Sequence, residues 1–181
     1  TFSLPGDVEI LAAIGARVIY GNERAFRDAL HVLRDTGYGI DLICYGAPWN
    51  GAVHEYFAPW CRSLIRLPLC EYPIKGYILK CVLEFVPRYV ACNFVLVRWL
   101  LDRKRLRKPT LILCGDDVFL TLNIVARLFN IPVVYRCGAL PATQNMLRRL
   151  GFSIAKRVVT RFVVDSEFIR NALIELGVSK N

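Results

Sequence analysis

Long uncharged stretches are missing from this 181-residue chain. With histidine counted as neutral, the longest run without charge is the 13 residues of 42–54, which include Gly46, Pro48 and Gly51. Because a membrane-spanning helix needs about 20 predominantly apolar residues, the sequence predicts no such helix. The chain starts at Thr1 without a basic segment, an apolar stretch and a cleavage site. We expect a soluble or peripheral chain cut from something longer.

Paired cysteines and histidines are also scarce. The seven cysteines contain no Cys-X-X-Cys pair, and only two histidines, His31 and His54, accompany them. This pattern argues against a zinc site and against a disulfide framework. Cys44 and Cys114 lie in apolar, strand-like runs, where a thiol behaves as a small hydrophobic group. We therefore expect reduced cysteines, no bound metal, no cofactor and a cytoplasmic protein.

Acidic residues are nearly absent from two segments. Segment 98–108 has six basic residues and one acid, and segment 144–161 has five basic residues and no acid. Each carries +5, so the rest of the chain contributes −1 to the net charge of +9. Localised positive charge indicates a polyanionic partner such as an anionic membrane surface, although solvated helix faces have the same pattern. Nucleic acid is not expected, because only Trp99 supplies an aromatic group in 98–108. The candidate surface residues are Arg103, Lys104, Arg105, Arg107, Lys108, Arg148, Arg149, Lys156 and Arg157.

Short apolar runs alternate with stretches of helical periodicity along the whole chain. The predicted strands are 9–15, 40–46, 63–69, 110–115, 131–138 and 161–166. The run 17–20 is a second strand candidate before Gly21, so the end of the first strand stays open. The predicted helices are 22–37, 75–106 with a break near Pro87, 116–130, 144–161 and 167–177, whereas 47–62 is predicted as loop. This alternation predicts one α/β domain, 1–181, in which a mainly parallel sheet carries helices on both faces, as in a three-layer Rossmann-like fold.

Several local features refine these predictions. Gly37 and Gly177 are expected to end their helices, and Ser166 is placed to cap the last one. In 144–161 the helical spacing predicts an apolar face formed by Leu147, Leu150, Ile154 and Val158.

The stretch Tyr-Gly-Asn-Glu-Arg, 20–24, joins the first strand region to a helix. Gly21, Asn22, Glu23 and Arg24 could present backbone N–H groups and a helix dipole to a phosphate. The alternative is a turn that needs glycine only for its backbone conformation. Both interpretations stay open at the level of sequence.

Polar residues also follow two predicted strands, at the end of the sheet where α/β proteins bind ligands. Asp116 and Asp117 could orient a hydroxyl group or act as a base, or they could simply stabilise the start of a helix. Arg136, followed closely by Gly138, could bind a phosphate oxygen, or could pair with one of those acids.

The pieces GNERAFRDALHVLRDTGYGIDLICYG, LILCGDDVFLTLNIVARLFNIPVVYRCG and RFVVDSEFIRNALIELGVSKN resemble the amino-terminal domain of GT-B fold, glycogen-synthase-like retaining glycosyltransferases. The resemblance covers most of the chain except 47–108. It implies an enzyme that moves a sugar from a nucleotide-sugar donor to a glycan or lipid acceptor, at the inner face of a membrane. This half would bind the acceptor, Gly21 would lie near the donor diphosphate, and an absent carboxyl-terminal domain would supply the nucleotide-sugar site.

The chain departs from that family pattern at three places. Gly21-Asn22 stands where many members have two glycines, and Arg136, Cys137 and Gly138 stand where many have a histidine. Gly115, Asp116 and Asp117 replace another common histidine. A different class of function, a stand-alone α/β module that binds anionic lipid or nucleic acid without catalysis, is therefore carried as the alternative.

Overall fold

A computed structural model of the chain describes residues 8–15, 19–45, 55–67, 83, 86–105, 110–115, 120–140 and 146–179. These residues form six strands: β1 (Glu9–Gly15), β2 (Gly39–Tyr45), β3 (Ser63–Leu67), β4 (Thr110–Cys114), β5 (Val133–Cys137) and β6 (Arg161–Val164). They also form five α-helices: α1 (Gly21–Asp35), α2 (Val86–Arg105), α3 (Leu120–Phe129), α4 (Met146–Val158) and α5 (Glu167–Glu175). No described helix is long and apolar enough to cross a membrane.

The strands form one parallel sheet in the order β3-β2-β1-β4-β5-β6. The strand order reverses between β1 and β4, which pair from Glu9 opposite Thr110 to Ala13 opposite Cys114. The predicted parallel α/β sheet is confirmed, and β4 is central because β1 and β5 flank it. A doubly wound sheet of this order has its ligand crevice at the carboxyl ends of the strands beside that reversal.

Alternate residues of each strand enter two separate hydrophobic cores. In β1, Leu11 and Ala13 face one core, whereas Ile10, Ala12 and Ile14 face the other. Helix α1 covers the second core, and helices α2 to α5 contribute to the first. The sheet is therefore covered by helices on both faces, which explains why its strands are apolar throughout.

The predicted ends of α1 and α5 are confirmed. Gly37 and Gly177, which follow these helices, have φ values of +93° and +85°, a conformation that glycine adopts without strain. At the start of α5 the Ser166 hydroxyl oxygen accepts a hydrogen bond from the Ile169 N–H at 3.3 Å. Both helices are therefore bounded by local sequence signals.

Segment 55–60, predicted as loop, is a short helical turn followed by a 3-10 turn at Ala58–Trp60. Phe57 is fully buried in the core under α1, and the Trp60 ring lies 4.4 Å from the His31 ring, between centroids. The segment lacks sequence periodicity because it is too short to show one. Tertiary contacts of its aromatic side chains with α1 determine its conformation instead.

One of two helix predictions is corrected by the structure. The predicted residues 75–82 lie outside the described part of the chain. Pro87 lies in the first turn of the described helix α2, where the missing N–H has no acceptor within α2 to lose. Because residues 84 and 85 are also outside the described part, the break predicted near Pro87 stays a prediction. In α4, Leu150 is exposed, whereas Gly151, Phe152 and Ala155 are buried. Small residues at 151 and 155 allow close packing, which overrides the larger apolar side chain at 150.

Candidate functional site

The carboxyl ends of the strands hold most of the predicted site residues that the structure describes. Gly115 follows β4 directly, and its N–H donates to the Ala13 carbonyl oxygen of β1 at 2.9 Å. This hydrogen bond extends the pairing of β1 with β4, the two strands between which the strand order reverses. Gly21 begins α1, and Arg136 and Gly138 lie at the end of β5. Asp116 and Asp117, predicted to act on the acceptor, lie outside the described residues.

Gly21 is the first residue of α1, and nothing in its own surroundings requires a glycine. Among the described glycines only Gly37 and Gly177 have positive φ, so the backbone at Gly21 suits any residue. Among the residues that the structure describes, no heavy atom lies within 4 Å of a Cβ atom added at Gly21. The interpretation of Gly21 as a turn glycine is therefore not supported by its conformation or its packing.

The first turn of α1 is ordered by a carboxylate. The Tyr20 N–H, just before the helix, donates to the Glu23 Oε2 atom at 2.8 Å. The Arg24 N–H donates to the Tyr20 carbonyl oxygen, which starts the intrahelical ladder. The preceding N–H groups of the helix have no carbonyl four residues back within the helix, so they carry the positive end of its dipole.

Arg136 connects the start of α1 to the end of β6. Its guanidinium group, only 10% exposed, donates to the Asp165 carboxylate, which is 44% exposed. The other guanidinium nitrogen donates to the Asn22 carbonyl oxygen at 3.5 Å. The sequence considered Asp116 and Asp117 as partners of Arg136, and it missed Asp165, which directly follows β6.

Because Gly138 has no side chain, the side chains of Asn22 and Asp165 can lie close to its Cα atom. A Cβ atom at this position would lie 2.5 Å from the Asn22 Oδ1 atom and 3.1 Å from the Asp165 Oδ2 atom. Any other residue would therefore have to displace one of these side chains. Asn22, Arg136, Gly138 and Asp165 are called the carboxyl-end cluster below.

A second charged cluster lies at the opposite ends of the strands. Arg62 donates from Nη1 to the Glu9 Oε1 atom at 2.9 Å and from Nη2 to the Asp41 Oδ2 atom at 2.7 Å. The Ser63 hydroxyl donates to the Asp41 Oδ1 atom at 2.6 Å. Glu9 and Asp41 are buried, whereas the Arg62 side chain is 44% exposed. These four residues, called the amino-end cluster, join the first three strands.

Two side chains, one in the amino-end cluster and one next to it, have raised pKa values. Hydrogen bonds to Glu9 and Asp41 raise the pKa of Arg62 further above its usual value, which keeps the guanidinium charged. Burial, and then the charge of Asp41, raise the pKa of the Cys61 thiol to about 12. The thiol next to this cluster is therefore protonated at neutral pH.

The predicted polyanion surface is only partly described. Arg149 and Arg157 are exposed on α4, but the Lys156 Nζ atom donates to the Leu176 carbonyl oxygen at 3.2 Å, beyond the end of α5. Lys156 therefore has a structural contact. Arg107 and Lys108 lie outside the described residues, as do the side chains of Arg103, Lys104, Arg105 and Arg148. Trp99 is partly buried against the larger core.

No group of three or more metal-ligating side chains occurs among the residues that the structure describes. The free cysteines there are Cys44, Cys61, Cys114 and Cys137. Cys114 is buried in β4 and Cys44 partly buried in β2, as expected for thiols in apolar strands.

Comparison with known proteins places the fold but not the function. No protein-family model and no curated protein matches the sequence. Among solved structures, a UDP-N-acetylglucosamine 2-epimerase matches 96% of this chain at a TM-score of 0.60 and 11% identity. The enzyme of that name from Neisseria meningitidis, bound to UDP-GlcNAc, matches 94% at a TM-score of 0.62 and 12% identity. UGT89C1 from Arabidopsis thaliana, complexed with UDP, matches 95% at a TM-score of 0.56 and 13% identity.

These neighbours have the GT-B fold, and the expected Rossmann-like, GT-B-type domain is confirmed at the level of fold. The chain covers 46%, 44% and 49% of their lengths, so it spans less than half of each.

Proposed function

We propose that this chain is the amino-terminal half of a two-domain enzyme that uses a nucleotide sugar, most specifically a glycosyltransferase of the retaining GT-B kind. The proposed domain is 1–181, and a second domain would supply most of the donor site. The acceptor would be a glycan or a lipid, and the enzyme would work in the cytoplasm, at a membrane surface. The fold supports this proposal, because two of its structural neighbours were solved with UDP-GlcNAc or UDP bound.

The proposal rests on the space around Gly21 and on its backbone conformation. A glycine that neither its φ angle nor its neighbours require leaves open space in front of the first turn of α1. An anion that enters this space can approach the backbone N–H groups more closely than a side chain would permit. A diphosphate is the part of a nucleotide sugar that has this chemistry.

The carboxyl-end cluster would hold this turn in position. Arg136 reaches the Asn22 carbonyl oxygen, and Asp165 holds the guanidinium group from β6. In the proposal Asn22, Glu23 and Arg24 line the donor side of the crevice. Arg136 orients the turn and adds positive potential behind it, and Gly138 leaves room for Asn22. Asp116 and Asp117 remain the proposed residues for activation of the acceptor hydroxyl.

The test is the binding of nucleotide sugars to the protein that the complete gene encodes. UDP-, GDP- and ADP-linked sugars are titrated by calorimetry against the parent protein, Gly21→Ala and Gly21→Val. We expect Gly21→Val to weaken binding of the preferred donor by about tenfold or more, which corresponds to ~1.4 kcal/mol, and Gly21→Ala to weaken it less. Thermal unfolding of both variants should match the parent, because the site has free space.

Leu128→Ala is the matched control. Leu128 is exposed near the end of α3, which lies toward the amino ends of the strands, so its replacement should leave binding unchanged. Equal binding by the parent and by Gly21→Val would contradict the proposed role of this turn. A complete protein that binds no nucleotide sugar would contradict the enzyme proposal itself. The 181-residue chain alone should transfer no sugar, and turnover by it would overturn the proposed division into two halves.

A further inference from the structure

The outward face of α2 is apolar over most of its length. Val90, Phe94 and Leu101 are 60%, 67% and 40% exposed. They are separated by four and seven residues, which places them within about 40° of one another around the helix axis. Val95 is also exposed, about 100° further around the helix axis from Phe94. A surface helix usually has polar residues at these positions, so this face differs from an ordinary solvated one.

The inward side of the same helix is already packed. Val97 and Trp99 are partly buried against the larger core, and α2 contacts α3. Val97 follows Val90 by seven residues and lies at the edge of the exposed stripe, so the stripe borders the packed side of the helix, and no described residue covers its exposed side chains. A contiguous apolar surface of this kind indicates contact with a partner or a membrane.

The charge of the neighbouring segment selects between these partners. Arg98 is exposed within the stripe, and segment 98–108 has six basic residues against the single acid Asp102. A second copy of the chain also carries a net charge of +9, so its approach to this positive segment is less favourable than that of an anionic partner. An anionic surface with an apolar interior matches both the charge and the apolar stripe.

We propose that the outward face of α2 docks on an anionic lipid bilayer. Val90, Phe94 and Leu101 enter the boundary between headgroups and acyl chains, and the helix lies in the membrane plane. Arg98 and the basic residues that follow contact the anionic headgroups. This inference depends on α2 alone, and it stands whether or not the chain belongs to a glycosyltransferase.

The probe is a set of vesicles of phosphatidylcholine alone and of phosphatidylcholine with 30% phosphatidylglycerol. Co-sedimentation is measured for the parent chain, Phe94→Ser, Arg98→Glu and Phe168→Ser. Phe168 on α5 is the matched control, because it is 71% exposed but has no basic segment beside it. We expect binding to the anionic vesicles only, about a tenfold weaker partition for Phe94→Ser, a smaller loss for Arg98→Glu, and none for Phe168→Ser. Binding should also weaken as salt rises.

Three results would overturn the proposal. One is the absence of binding to anionic vesicles by a folded parent chain. Another is an equal loss for Phe94→Ser and Phe168→Ser, which would indicate general hydrophobic adhesion. The third is a dimer in solution that Phe94→Ser dissociates, or binding of RNA without binding of vesicles, because either would assign this face to another partner.

Discussion

Each end of the sheet has one arginine that donates hydrogen bonds to oxygen atoms of other residues. At one end the arginine is exposed and its carboxylate partners are buried, and at the other end the reverse holds. In the amino-end cluster the carboxylates of Glu9 and Asp41 are buried and Arg62 is 44% exposed. In the carboxyl-end cluster Arg136 is buried, and its carboxylate partner Asp165 is 44% exposed. One cluster therefore hides its negative charge, and the other leaves its negative charge at the surface.

From this difference we expect the amino-end cluster to stabilise the fold and the carboxyl-end cluster to position the start of α1. Two buried carboxylates are unfavourable unless a cation compensates them, so Arg62 is needed for the fold itself. At the carboxyl end, a buried guanidinium and an exposed carboxylate keep a polar surface beside the start of α1. That surface lies at the carboxyl ends of the strands, the end at which parallel α/β sheets bind their ligands.

We expect the largest effect from Arg62→Leu. A harmless substitution would contradict the stabilising role assigned to the amino-end cluster. The change removes the Arg62 guanidinium from the buried Glu9 and Asp41 and should lower the free energy of unfolding by about 3–5 kcal/mol, measured by urea denaturation. Arg170→Leu is the control, because Arg170 forms an exposed pair with Glu167 at 3.5 Å and should lose less than about 1 kcal/mol. Similar losses for both variants would contradict a structural role of the amino-end cluster.

A smaller effect is expected from Gly138→Ala at the other end of the sheet. The new Cβ atom would meet the Asn22 Oδ1 atom at 2.5 Å, so the Asn22 side chain must turn away, at a cost of about 0.5–1.5 kcal/mol in unfolding free energy. Hydrogen exchange should then accelerate at the Arg24 amide, which donates to the Tyr20 carbonyl oxygen. Gly21→Ala, which meets no described atom within 4 Å, should change neither quantity. Unchanged exchange in Gly138→Ala would show that the cluster does not position this turn.

The smallest effect concerns the thiol beside the amino-end cluster. Because the pKa of Cys61 is raised to about 12, the folded chain keeps this thiol protonated between pH 8 and pH 10. Its stabilising contribution is complete below the ordinary value of 9.0 and is lost as the pH rises from there toward 12. Iodoacetamide at pH 9 should label Cys61 much more slowly in the folded than in the urea-unfolded chain, with site assignment by mass spectrometry. Equal rates would contradict the burial of the thiol.

The elements could be predicted from sequence where their signals are local. The strand at 9–15 is an isolated apolar run, and Ser166 and Gly177 are adjacent to the helix that they bound, so those predictions are confirmed. Segment 55–60 could not be predicted, because contacts with α1 hold it. Leu150 was misplaced because apolar spacing alone does not report which side of a helix carries its small residues.

The site was predictable in part, for a similar reason. Gly21, Asn22, Arg136 and Gly138 were selected because each lies at a predicted strand or helix end, and the structure brings them together. Asp165 was missed, because its contact with Arg136 depends on the pairing of β5 with β6. The amino-end cluster was missed as well, since Arg62 and Glu9 are separated by 53 residues, and no local pattern reports such a pair.

The strand order also has a consequence for how the chain is made. Strands β1 to β3 form one half of the sheet and emerge from the ribosome before β4 to β6. The halves meet where Glu9 pairs with Thr110, a contact across about a hundred residues of chain that closes only after loop entropy has been overcome. The pairing that joins the two halves of the sheet thus lies where the strand order reverses, the position at which sheets of this kind bind their ligands.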